Sequence, residues 1–146
     1  MSDWEPKQQW KKRGKDFAVV VSRHEVHRPH EQRLGNEGPY RWCIYAFIYP
    51  THPHFAAFDG TDRMWQEAAL DLPLHCGPSL LTPHFDRERK LCSIEVGADY
   101  NHLHDEPFTR MATKEEAGVV FADAEELFAW LDGDAGRAPS SRGGGR

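Results

Sequence analysis

The chain has 146 residues, enough for one compact domain with a modest core, and its 18 basic against 23 acidic residues argue against a protein that coats nucleic acid through bulk charge. No apolar run approaches membrane-spanning length and the polar N-terminus has no signal-peptide core, so a cytoplasmic protein with no membrane partner is expected. The three cysteines, Cys43, Cys76 and Cys92, are widely spaced and form no C-x-x-C pair, which indicates neither a disulfide framework nor a cysteine-only zinc knuckle.

Residues 1–16 read as a mobile basic lead-in, with Lys11-Lys12-Arg13-Gly14-Lys15 taken as a solvated run. Residues 17–22 (Phe-Ala-Val-Val-Val-Ser) and 41–49 (Arg-Trp-Cys-Ile-Tyr-Ala-Phe-Ile-Tyr) are rich in β-branched and aromatic side chains and predict two antiparallel strands, the second stopped by Pro50. His24, His27 and His30 fall in the long polar connection between them; Pro29 interrupts their helical spacing, so they read as loop histidines. A short middle helix is expected over 61–70, started by Thr61 or Asp62 and left before Pro73. Residues 74–81 and 90–96 predict two more strands, separated by a charged turn over 83–88, and Cys43 and Cys92 read as small buried strand residues. A last helix should follow Asp123, whose Asp-x-x-Glu126 spacing resembles a capping arrangement, with Leu127, Phe128 and Leu131 as its apolar stripe and Gly133 at its end. Residues 137–146, rich in Gly, Ser and Arg, read as a disordered tail. The expected architecture is α+β: a single domain over 17–136, an antiparallel sheet with a short middle helix and a C-terminal helix on one face.

Three segments carry the chemistry: His52-Pro53-His54-Phe55, Leu74-His75-Cys76-Gly77, and Gly97-Ala98-Asp99-Tyr100-Asn101-His102-Leu103-His104-Asp105. Each puts an imidazole at or beyond a strand end, so His52, His75, Asp99 and His102 are expected to converge. His75, Asp99, His102 and Asp105 are the catalytic candidates. Imidazole and carboxylate together hold a transition ion such as zinc, with His75, Asp99 and His102 as ligands, or move protons while a carboxylate fixes the tautomer. His52, Cys76, Tyr100 and His104 are the expected ligand-contacting residues of the same pocket. The opposing reading is architectural, since buried loop histidines and aspartates often bond to backbone and hold turns together. Gly-x-Ser-x-Gly, P-loop and dinucleotide-binding patterns do not occur.

In their order these segments resemble a family of small phage and prophage proteins that carry G-H-P-L-Y-like, H-G-G-L-T-like and G-F-D-C-A-H-A-G-D-like motifs. His52, Pro53 and Phe55 fall on the first motif, His75 and Gly77 on the second, and Gly97, Asp99, His102 and Asp105 on the third. The chain departs from the pattern at Cys76, Pro78-Ser79, Ala98 and His104. The resemblance covers about residues 40–132 and brings no established activity with it. Two functions follow as expectations: a small metal-dependent or acid-base hydrolase acting on a small substrate, or a non-enzymatic phage-type accessory protein that binds a small ligand or a host protein, for instance to counter a host defence.

Overall fold

The computed structural model describes residues 9–26 and 38–133. Residues 1–8 of the expected lead-in, His27, His30 and the expected tail over 137–146 lie outside the described residues. Among the described residues five antiparallel strands, β1 (Gln9–Arg13), β2 (Phe17–Glu25), β3 (Tyr40–Ile48), β4 (Leu80–Phe85) and β5 (Leu91–Asp99), form one sheet in the order β1-β2-β3-β5-β4. One short helix, α1 (Glu67–Leu70), lies in the middle of the chain, and α2 (Gly118–Asp132) packs on β2 and β3. The fold is α+β, with its core between α2 and one sheet face. No helix among the described residues is long and apolar enough to cross a membrane.

Because strand side chains alternate, register fixes which residues share a face. Val19, Val21, Trp42, Ile44, Ala46, Ile48, Ile94 and Val96 point to α2 and meet Val120, Phe121, Ala124, Leu127 and Leu131, all in one buried cluster. The expected stripe on α2 is thus the covered face, with Leu127 and Leu131 buried and the Phe128 ring 4.9 Å from Phe17.

Several boundaries differ from the sequence reading. The expected lead-in contains β1, because Trp10 anchors it: its indole is buried, stacks 5.6 Å from Trp42 and meets Phe121 edge-on at 5.3 Å. His24 lies in β2. The expected strand over 74–81 is a turn followed by β4, and the expected charged turn is partly strand, since β4 tolerates Pro83 as an edge strand with one side of its backbone unpaired. Cys92 is exposed at the sheet margin, its thiol 3.3 Å from the His84 carbonyl, whereas Cys43 is buried as expected.

Helix α2 begins five residues before Asp123. Its N-cap, Ala117, has no side-chain cap; the turn just before it is closed at Thr113-Lys-Glu-Glu116, where Glu116 N–H donates to Thr113 Oγ1 at 3.0 Å and Glu116 Oε1 accepts from Thr113 N–H at 3.2 Å and Ala112 N–H at 2.8 Å. That reciprocal pair has the bonding pattern of a capping box, and the Asp123 carboxylate is released for another partner. The middle helix contracts to one turn because the Thr61 region is held differently. The Asp59 carboxylate takes Thr61 N–H and Oγ1–H, and Gln66 Oε1 accepts from Asp59 N–H at 2.9 Å.

Candidate metal centre

Two turns at one end of the sheet build the site. Leu74-His75-Cys76-Gly77 is closed by Gly77 N–H donating to the Leu74 carbonyl at 3.0 Å. Its last two residues are left-handed, Gly77 at φ 84° and Cys76 at φ 60°. Glycine adopts that conformation freely, but the Cβ of Cys76 makes it cost about 1–2 kcal/mol. The second turn follows β5. Tyr100 N–H donates to the Trp42 carbonyl at 3.0 Å, and Asp105 N–H closes residues 102–105 by donating to the His102 carbonyl at 2.9 Å.

Asp105 joins the two turns. Its side chain is buried and accepts from His75 Nε2–H at 3.0 Å on both oxygens, from His102 Nδ1–H at 2.9 Å and from His102 backbone N–H at 2.8 Å. A carboxylate can only accept, so these bonds place one proton on His75 Nε2 and one on His102 Nδ1. The nitrogens left as ligands are His75 Nδ1 and His102 Nε2. Burial pushes the Asp105 carboxyl up, but the bonds from the His102 backbone, the His102 ring and His75 outweigh it and hold the pKa below the ordinary carboxylate value.

Beneath the site, the buried Tyr100 ring stacks on His75 at 4.3 Å and 15°, and Phe108 lies 4.8 Å from Tyr100. The Tyr100 hydroxyl donates to Asp123 Oδ2 on α2 at 2.6 Å; burial, reinforced by that bond, raises its pKa strongly. The rings of His75 and His102 sit 5.4 Å apart. His75, Cys76 and His102 each offer a ligand atom within 4.8 Å of the other two. Two imidazoles and one thiolate match the donor set of a zinc site with an open fourth position, and the aspartate behind both rings matches the outer partner that orients such ligands.

The structure therefore unites His75, His102 and Asp105 and brings Cys76 to them, but it redistributes the other expected residues. Asp99 is not in the group: its Oδ1 stands 3.7 Å from His102 Nδ1, on the side of the ring already facing Asp105, and it accepts from Asn101 N–H. Cys76 takes the ligand place that the sequence assigned to Asp99. The Tyr100 hydroxyl is committed to Asp123, so its ring serves as a floor. His104 is exposed and makes none of these contacts.

His52 does not join the site. It follows the C-terminal end of β3, whereas Asp99 pairs with Cys43 near the N-terminal end, and the five residue steps from Cys43 to Ile48 separate those ends by about 17 Å. Its buried ring bonds elsewhere, Nε2–H donating to the Leu131 carbonyl at 2.7 Å and Nδ1 accepting from His54 N–H at 3.0 Å. Both ring nitrogens are used, so the first segment is architectural.

The strained turn yields a direct prediction. Cys76→Gly should raise the free energy of unfolding of the metal-free protein by roughly 0.5–1 kcal/mol, because relief of the left-handed Cβ exceeds the entropy added to the unfolded chain. Urea unfolding of both proteins in chelator checks this, and an unchanged or lowered midpoint would refute it.

No family model matches the chain, and searches of the curated proteins and of the solved structures return no match.

Proposed function

We propose that the protein is a small metal-dependent hydrolase that holds one zinc ion through His75, Cys76 and His102, with Asp105 orienting both imidazoles. The observation that carries this reading is the grouping of His75, Cys76 and His102, whose ligand atoms lie within 4.8 Å of one another, with Asp105 engaging one nitrogen of each ring. A buried carboxylate that fixes two rings in this way supports an arrangement for binding an ion. Zinc in a three-ligand site supplies a Lewis acid that polarises a substrate oxygen and lowers the pKa of water. Asp99, partly exposed and 3.7 Å from His102 Nδ1, is a second carboxylate beside the site, placed to move a proton while Asp105 holds both rings. The substrate class we infer is a small molecule.

A second reading is a non-enzymatic accessory protein that uses the same surface to bind a ligand or a host protein. On this reading Leu103, 80% exposed in the same turn between His102 and Asp105, is the apolar side chain a partner would meet. The phage-type origin attached to this reading rests on the motif resemblance.

One experiment separates the two. Protein purified with reductant is titrated with zinc and assayed against small ester, amide and phosphoester substrates. The hydrolase reading expects one zinc per chain, turnover abolished by chelator and restored by zinc, and loss of bound zinc in His75→Ala and His102→Ala with circular dichroism unchanged. Stoichiometric zinc without turnover favours the accessory reading, and no zinc uptake by wild type discards the metal site.

A further inference from the structure

The sheet has a second face. Register places Cys43 and Asp99 in one row, then Lys11, Val20, Tyr45, Gly97 and Leu80, then Arg13, Ala18, Phe47, Glu95 and Thr82. Among the described residues none of the apolar members of these rows belongs to the core cluster or packs against it; Ala18, Val20 and Cys43 are buried within the single chain, and Tyr45, Phe47 and Leu80 are half-buried. The face is nevertheless apolar at its centre. In an antiparallel sheet with one solvated face, strands alternate polar with apolar, whereas a near-continuous apolar run marks a strand covered on both sides. Phe17-Ala-Val-Val-Val21 in β2 and Trp42-Cys-Ile-Tyr-Ala-Phe-Ile48 in β3 are runs of the second kind, yet the core covers only one side of them.

Charge identifies what covers the other side. Cations sit toward one edge of this face, Lys11 and Arg13 on β1, and anions toward the other, Glu95 and Asp99 on β5. We propose that this face is the interface of a homodimer, two copies packing sheet on sheet about a two-fold axis that runs parallel to the strands, above β3 and midway between the two sheets. That axis reverses the strand order, so β1 of one copy lies over β4 and beside β5 of the other, and basic edges meet acidic ones. A two-fold axis perpendicular to the strands would set β1 on β1 and repel. Height along the strands is conserved by the proposed axis, which brings Arg13 to the row of the other copy's Glu95. The ~10 Å between packed sheets is within reach of an arginine on one side and a glutamate on the other. Val20 falls over Gly97, whose missing side chain is replaced there by the Tyr45 ring, an apolar surface for it to meet. Glu95 also accepts from His84 Nε2 at 2.8 Å, which holds the carboxylate in place on the face.

Within one chain Arg13 and Glu95 are three strand spacings apart, about 14 Å, so they do not pair there. This separation gives the test. Wild type should sediment as a dimer at micromolar concentration. Arg13→Glu and Glu95→Arg should each set like charges together twice per dimer and weaken association by about 100-fold or more. An equimolar mixture of the two variants should sediment as a dimer, because both contacts in the mixed pair are then complementary. Phe47→Asp should be monomeric with its circular dichroism retained. A wild type that stays monomeric, single charge variants that dimerise as wild type does, or a mixture that stays monomeric would overturn the proposal. None of these residues is a proposed zinc ligand, so failure here leaves the metal site standing, and failure of the metal site leaves the dimer standing.

Discussion

Asp105→Ala is expected to lower the free energy of unfolding by about 3 kcal/mol, a fall in Tm of roughly 10 °C, and to weaken zinc binding by about 10–100-fold. The size follows from what the carboxylate does. It closes the 102–105 turn through the His102 backbone N–H and ties that turn to the 74–77 turn through His75. Removing it strands three donors, one of them on the backbone, in a part-buried pocket. His102→Ala deletes a partly exposed ring and keeps the turn, so its loss should fall on the metal and only slightly on the fold. The ratio of the two effects distinguishes an orienting group from a ligand: thermal melts read one and competitive zinc chelation reads the other. An Asp105→Ala variant with wild-type Tm would show that the two turns hold without their shared carboxylate.

The same residue sets an acid limit. Its folded pKa lies below the ordinary 3.8, so its contribution to stability is complete above that value and is lost as pH falls through the folded pKa. Asp105→Asn, close in volume but unable to titrate, should flatten the decline of stability with acidification below about pH 4 that wild type shows. Equal slopes in the two proteins would remove Asp105 from the acid transition.

The sheet was legible because its central strands spell themselves: β2 and β3 carry β-branched and aromatic runs that begin or end within a few residues of the expected boundaries. What escaped had weaker local signals. Gln9–Arg13 looks solvated because only Trp10 and Lys12 face inward, and Lys12 reaches past the core to Glu125 at 3.0 Å. The start of α2 is hard to place because two cap-like spacings compete: Thr113 to Glu116 closes the turn that leads into the helix, whereas Asp123 to Glu126 lies inside it. In the site, His75, His102 and Asp105 were readable from residue type and from the three-residue step that lets Asp105 fold back on His102. The role of Cys76 was harder to read. A non-glycine residue beside Gly77 in a two-residue left-handed bend is visible as strain only once φ is known. Sequence also cannot tell which end of a strand a histidine occupies relative to another, and this is why His52 was grouped with partners from the opposite end of β3.

His52 therefore carries the other large effect. His52→Ala is expected to cost about 3 kcal/mol of stability while leaving zinc stoichiometry unchanged, the reverse of His102→Ala. The ring is 4% exposed, meets Phe17 edge-on at 5.6 Å, and spans two otherwise separate groups, the Leu131 carbonyl in the last turn of α2 and the His54 backbone N–H. An alanine leaves both unbonded and opens a hole beside Phe17, so the loss combines two desolvated polar groups with a cavity. His54 extends the brace: fully buried, it bonds through Nε2 to the Ala68 carbonyl in α1 and lies 4.9 Å from Trp130 on α2. The pair thereby fastens both helices to the end of β3 in place of a longer apolar contact. Because the brace and the metal centre share no hydrogen-bonded residue and lie at opposite ends of β3, stability losses in a His52→Ala/His102→Ala double variant should add to within about 0.5 kcal/mol. Chemical denaturation of the four proteins in chelator measures that sum, and a larger coupling would mean that the sheet transmits strain between its two ends.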